Sequence, residues 1–201
     1  MTMQQIIVFT LLTTNIFCAC NDKVANDTKE GIIFKSDTTK QQKMNFKETI
    51  DTIEKRVVDL TAAVDLFNVK EFINLFESPE LYKSDALNFL STDSNSTQQK
   101  MIAIYAMQKL PANEYINFFI RMTSMYLNDS LADDYLLLLV IAADFSSGSP
   151  IIRNYDNNEV VIALNKIKSD RKTSDNLKKW IDKILSGKSW KKMEERRRDN
   201  G

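Results

Sequence analysis

The chain has 201 residues, with 27 basic and 27 acidic side chains and therefore a formal net charge of zero. Because the charges balance, the chain has no bulk attraction to nucleic acid. We therefore do not expect nucleic acid as a partner. The sequence contains no histidine, which excludes Ser-His-Asp and Cys-His catalysis and His-based metal sites. Only 4 glycines and 3 prolines occur, which predicts few tight turns and much helix.

The N-terminal stretch has the length and composition of a secretory signal. Residues 6–17 read IIVFTLLTTNIF, and this apolar run is shorter than the roughly 20 residues needed to span a bilayer. An apolar segment of roughly 7–15 residues that ends at small residues is typical of a cleaved signal peptide. The stretch therefore predicts export, and a buried N-terminal helix or strand is the alternative.

The end of this stretch, Phe17-Cys18-Ala19-Cys20, resembles the lipobox of bacterial lipoprotein signal peptides. Small Ala19 directly precedes Cys20, and apolar Phe17 lies three positions before it. Cys18 fits less well, because bulky Phe17 would precede the cut. The resemblance implies that residues 1–19 are removed and that Cys20 is acylated. An ordinary signal peptide with an incidental cysteine is the alternative.

The resemblance also implies a location. In many Gram-negative lipoproteins an aspartate just after the lipidated cysteine favours retention in the inner membrane, and here Asn21 holds that position. We therefore expect a periplasm-facing protein that is held at the outer membrane through the acyl chains on Cys20, since several chains give stable anchoring. Both cysteines lie within residues 1–20, so no disulfide is expected.

The next segment, residues 20–43, is rich in Ser, Thr, Asp, Lys and Gln and predicts a flexible tether. A flexible chain of this length reaches about 27 Å. Residues 31–34 form a small apolar patch within it that could dock on the folded part. We expect a single α-helical domain from residue 44 to residue 201, which is long enough to bury a core.

Apolar residues spaced alternately by four and three positions open this domain and predict one long helix. They are Phe46, Ile50, Ile53, Val57, Leu60, Val64 and Phe67. We expect this helix to pack on its own domain, and a coiled-coil seam is the alternative.

Further helices are predicted from start signals such as capping boxes, first-turn prolines and Asx or Ser caps. These signals are Ser78-Pro79, Ser96-x-x-Gln99 for a helix over 98–109, Pro111 for 111–127, Ser130-x-x-Asp133 for 130–145, Asp156-x-x-Glu159 for 157–168, and Ser174 for a helix that ends near Gly187. A last helix is predicted over 190–198, and no segment predicts a strand.

The predicted fold is all-α. Residues 135–143 are apolar on every side, which predicts a central core helix. Two antiparallel hairpins are expected, 98–109 with 111–127 and 130–145 with 157–168. Their succession resembles the stacked pairs of a short HEAT-like α-solenoid, although no repeat consensus is present. An irregular helical bundle is the alternative.

Charge is unevenly distributed along the domain. Residues 110–165 contain seven acidic and two basic side chains, whereas residues 166–201 contain thirteen basic and six acidic ones. The acidic residues near helix starts match the helix dipole, and they could also form a negative edge for a basic protein. With two side chains of the loop before residue 156, the candidate partner-binding residues are Asp129, Asp133, Asp134, Arg153, Tyr155, Asp156 and Glu159.

The basic C-terminal run, residues 188–198, carries one tryptophan, Trp190. A solvated helix face is its simplest interpretation. Contact with anionic lipid headgroups is the second.

These features favour a lipid-anchored, non-catalytic, periplasm-facing module that binds another protein. Its most specific form is an immunity protein that neutralises a secreted antibacterial toxin, for which a basic toxin is the expected partner. This form rests on analogy. The alternative is a structural or assembly scaffold lipoprotein of the envelope. An enzyme that uses carboxylates alone is a third hypothesis. No cofactor, metal or small-molecule substrate is indicated by any motif.

The anchor prediction can be tested by fractionation. Cys20→Ala should release the protein from membranes, because no acyl chain can then be attached, and Cys18→Ala should leave it membrane-bound. Immunoblots of membrane and soluble fractions measure this. Membrane retention of the Cys20→Ala protein would rule out the lipobox interpretation.

Overall fold

A computed structural model describes residues 43–57, 63–142 and 149–199, except for the side chains of residues 63, 64 and 197. The predicted signal peptide, Cys20 and the predicted tether up to residue 42 lie outside the described residues. Within the described part every regular element is helical and no strand occurs, which confirms the all-α prediction.

Ten α-helices occur in the described ranges. They are α1 Phe46–Arg56, α2 Lys70–Glu77, α3 Lys83–Leu90, α4 Thr97–Ala106, α5 Ala112–Leu127, α6 Asp134–Ala142, α7 Pro150–Arg153, α8 Asn158–Ser169, α9 Asp175–Leu185 and α10 Lys188–Asp199. Short 3₁₀ turns occur at Ala63–Asn68, Pro79–Leu81 and Met107–Lys109.

The single long helix predicted from Asn45 to Phe67 is wrong. Helix α1 ends at Arg56 because Val57 adopts an extended backbone, with φ −95° and ψ 110°. Val57 and Val58 are adjacent β-branched residues, which have low helix propensity. The apolar face itself is correct up to this break, since Phe46, Ile50, Ile53 and Val57 are all buried. Position 60 lies outside the described residues.

Two predicted caps are confirmed in atomic detail. At the start of α4, the Ser96 hydroxyl accepts from the Gln99 backbone N–H at 3.1 Å, and the Gln99 side chain accepts from the Ser96 N–H at 3.0 Å. At the start of α9, the Ser174 hydroxyl accepts from the Leu177 N–H at 3.3 Å. The reciprocal bonds at Ser96 and the single bond at Ser174 satisfy N–H groups that have no partner within the helix.

At three other predicted start signals, the helix begins later, is capped by a different residue, or is replaced by a 3₁₀ turn. Helix α6 begins at Asp134 and not near Ser130, because the Asp133 carboxylate accepts from the Tyr135 N–H at 2.8 Å. Helix α8 is capped by Asn157 and not by Asp156, since the Asn157 side chain accepts from the Glu159 N–H at 2.9 Å. The predicted helix start at Ser78 is only a 3₁₀ turn, and the Ser78 side chain makes no capping bond.

Helix α6 is the centre of the core, as predicted from its composition. All six residues of Leu136–Ile141 are buried, and α6 packs against α4, α5 and α7. The main partners of α4 are α1 and α6, whereas α8 packs mainly against α5 and α9. The two hairpins predicted from the sequence are therefore not the main packing pairs, because α4 packs on α6 and α8 packs on α5 and α9.

Gly187 joins α9 to α10 in a left-handed conformation, with φ +67°. A Cβ atom built at this position would lie 2.8 Å from Tyr155 Cζ. Glycine is favoured here because it has no Cβ to strain the backbone or to meet the tyrosine ring.

Gly187→Ala should lower the free energy of unfolding by about 1–2 kcal/mol from the left-handed backbone alone, and further because the Tyr155 ring must move. Ser186→Ala, one residue earlier in right-handed backbone, is the matched control and should change stability by less than about 0.5 kcal/mol. Urea unfolding followed by circular dichroism measures both. Equal losses in the two variants would contradict this interpretation.

Candidate binding surfaces

The seven candidate partner-binding residues lie in two separate groups. Asp129, Asp133 and Asp134 lie in the α5–α6 connection, which contacts the connection between α8 and α9. The other four lie around the start of α8. Because the 12 residues of α8 separate the two ends by about 18 Å, the residues do not form one continuous negative edge.

We define the first group by its central residue and call it the Tyr126 junction: Tyr126, Asp129, Asp134, Lys172, Thr173 and Ser174. The buried Tyr126 hydroxyl donates to Asp134 Oδ1 at 2.5 Å. The second oxygen, Asp134 Oδ2, accepts from the Ser174 N–H at 2.8 Å. One carboxylate thus connects the end of α5 and the start of α6 to the start of α9.

Thr173 extends these contacts to α8. Its hydroxyl lies 3.0 Å from the Tyr126 hydroxyl and donates to the Ile167 carbonyl at 2.7 Å. Burial, and then the neighbouring Asp134 carboxylate, raise the pKa of Tyr126 well above its usual range. The Tyr126 hydroxyl therefore stays protonated at neutral pH and acts as a donor to Asp134.

Lys172 closes the junction on the solvent side. Its ammonium group contacts the Asp129 carboxylate and the Tyr126 carbonyl, and lies 4.6 Å from the centroid of the Tyr126 ring. Asp129 follows the C-terminus of α5 with a positive φ of 60°, which aspartate tolerates better than most residues. The charge of Asp129 is thus paired within the fold, although its side chain is 79 % exposed.

The three acidic candidates of this group therefore have roles inside the fold. Asp129 forms an ion pair, Asp133 caps α6, and Asp134 connects three helix ends. The residues that sequence reasoning missed here are Tyr126 and Lys172. No local signal identifies them, because Lys172 lies more than 40 positions along the chain from both groups that it contacts.

The second group includes a surface that we call the α7–α8 surface, defined by Arg153, Asp156 and Glu159. All three side chains are exposed, and none of them forms an ion pair with another described residue. Three charged groups are thus available to a partner on one short turn.

The turn that carries this surface is held in place by its own contacts. The Asn154 side chain donates to the Pro150 carbonyl at 2.7 Å, and the Asn157 side chain caps α8. Tyr155, the remaining candidate, is half-buried and lies against Gly187. It is therefore a packing residue that fixes the turn against the α9–α10 connection.

A second polar group lies where α4 meets α6. Burial, and then the nearby Tyr135, raise the pKa of Tyr105, and burial raises the pKa of Tyr135. Among the described residues, the buried Tyr135 hydroxyl and Gln108 amide have no hydrogen-bond partner. Burial thus favours the protonated form of both phenols.

Within the described ranges, no three His, Cys, Asp or Glu side chains are placed together to bind a metal ion. None of the helices there is long and apolar enough to cross a membrane. No protein family, curated protein or solved structure matches the chain.

Tyr126→Phe should lower the free energy of unfolding by about 1.5–3 kcal/mol, because it removes a hydrogen bond to a charged group. Tyr115→Phe is the matched control, since the buried Tyr115 hydroxyl donates at 2.9 Å to a neutral acceptor, the Val140 carbonyl. Its cost should be about 0.5–1.5 kcal/mol. Urea unfolding of both variants measures the difference, and a smaller loss for Tyr126→Phe would contradict a joining role for Asp134.

Proposed function

We propose that this chain is a lipid-anchored, non-catalytic protein-binding module of the bacterial cell envelope, facing the periplasm from the outer membrane. The lipobox-like Phe17-Cys18-Ala19-Cys20 supports the anchor, with residues 1–19 removed and Cys20 acylated. The partner is a protein, and the α7–α8 surface is the contact region.

The observation that carries this proposal is a set of charges on a fixed turn that form no ion pair with any described residue. Arg153, Asp156 and Glu159 are exposed, whereas Asp129 and Asp134 are occupied within the fold. A surface that is ordered before binding loses little conformational entropy in the complex. The two carboxylates suit a basic patch, and the Arg153 guanidinium can donate two parallel bonds to a partner carboxylate.

The most specific form of the proposal is an immunity protein for a secreted toxin. Inhibition of a toxin needs a preformed complementary surface and no chemistry of its own, which agrees with a charged turn on a packed helical body. An envelope scaffold is the alternative. Immunity requires one tight, salt-sensitive complex, whereas a scaffold would make several weaker contacts.

Site-specific photo-crosslinking in the producing cell distinguishes these outcomes. A photoreactive amino acid at exposed Asn158, beside the α7–α8 surface, should give one discrete adduct. The same amino acid at exposed Asn88 on α3 should give none. Several adducts from Asn158 would favour a scaffold, and no adduct in cells that carry the partner would contradict the binding role of this surface.

Asp156→Lys with Glu159→Lys should reduce the Asn158 adduct by at least about tenfold, because like charges placed together at an interface cost several kcal/mol. Glu80→Lys with Asp93→Lys, two exposed acids elsewhere, is the control with the same change in net charge and should leave the adduct unchanged. Adduct yield and circular dichroism are measured together. Equal losses in both double variants would indicate that the net charge of the protein, and not the α7–α8 surface, determines the adduct yield.

A further inference from the structure

Helix α10 presents a row of basic side chains to solvent. Lys188, Lys191 and Lys192 are exposed, as are Arg196 and Arg198. Their spacing places them on one broad helix face. Trp190 is half-buried and packs against the core, so the aromatic side of the helix faces the protein.

This face also carries the exposed acids Glu195 and Asp199, so its five exposed basic side chains exceed its acids by three. Five basic residues of the region before α5 form ion pairs: Lys43 with Asp85, Lys47 with Asp51, Arg56 with Glu71, Lys83 with Glu114, and Lys109 with Glu77. In the described part of the chain, no carboxylate forms such a pair with Lys188, Lys191 or Lys192. A chain with zero net charge therefore has a locally positive surface on α10.

We propose that the basic face of α10 binds the headgroup layer of an anionic lipid bilayer. This goes beyond the proposed protein-binding function, because it uses neither Cys20 nor the α7–α8 surface. A lysine near an anionic membrane is attracted through the negative surface potential, without insertion into the hydrocarbon. Lysine is a compact charge on a flexible stem, which suits a layer of laterally mobile headgroups.

The orientation of Trp190 favours lipid headgroups over nucleic acid. Proteins that bind single strands combine a basic groove with aromatic rings on which bases stack. On α10 the tryptophan packs against the core and the exposed face carries charges only. Binding should therefore be electrostatic and should weaken steeply with salt.

The test uses the full chain with Cys20→Ser, which cannot be acylated, and vesicles of phosphatidylcholine with or without 30 % phosphatidylglycerol. Any contribution from the apolar N-terminus is present in every variant. The protein should partition at least about tenfold more strongly onto the anionic vesicles at 50 mM salt, and this preference should disappear at 500 mM. Co-sedimentation measures the partition coefficient, and equal partition onto both vesicles would overturn the proposal.

Lys188→Gln, Lys191→Gln and Lys192→Gln together should reduce the anionic partition coefficient by roughly tenfold to a hundredfold, from about one kcal/mol per lysine. Glutamine is a good helix former, so α10 should persist, as circular dichroism can verify. The three Lys→Arg substitutions at these positions should retain binding because the charges remain.

The matched control is Lys55→Gln, Lys70→Gln and Lys100→Gln, which removes three charges from other helices and should change partition by less than twofold. Equal losses in the two triple variants would assign the effect to net charge and overturn the proposal. Tighter binding of a 30-nucleotide RNA than of anionic vesicles, lost in the α10 variant, would also overturn it. Because the vesicles contain no protein, this result is independent of any protein partner.

Discussion

The enclosure of α6 is the constraint on which the rest of this structure depends. Six consecutive residues, Leu136–Ile141, are buried, and each contributes about 1.5–3 kcal/mol only when water is excluded from all sides. A helix that is apolar all round must be surrounded, and α4, α5 and α7 supply the neighbours. Two of these neighbours, α5 and α7, adjoin α6 along the chain, and the third, α4, does not, so a stack of two sequential hairpins does not describe this core.

The Tyr126 junction holds together, at one end of the bundle, the helices that surround α6. Helix α5 packs against both α6 and α8, and Asp134 links its last turn to the start of α9. The Tyr126 and Thr173 hydroxyls are buried and Asp134 is half-buried, so each needs a partner, and the described contacts provide one for each. The acids near this end are consequently part of the framework of the fold, whereas the acids at the start of α8 are free for other contacts.

Features that depend on neighbouring residues could be predicted from the sequence. The Ser96-Gln99 capping box, the Ser174 cap and the apolar run of α6 are local patterns, and all three are confirmed. The end of α1 at Arg56 was missed, because the spacing of apolar residues predicts which face is buried but does not show where a helix ends. The role of Asp134 was missed as well, since its partner Ser174 lies 40 positions away and no local pattern shows whether a carboxylate faces solvent or a distant N–H.

The two proposed contact regions are mechanically connected through Tyr155 and Gly187. Tyr155 lies in the turn that carries the α7–α8 surface, and its ring rests on the glycine at which α10 begins. Helix α7 also packs against α10. A bilayer that holds the basic face of α10 would therefore orient the α7–α8 surface as well, because α7 packs on α10 and Tyr155 lies against Gly187. An anchor at Cys20 on the predicted tether alone would limit only the distance from the membrane, whereas a second contact through α10 would also determine which face the protein presents to its partner.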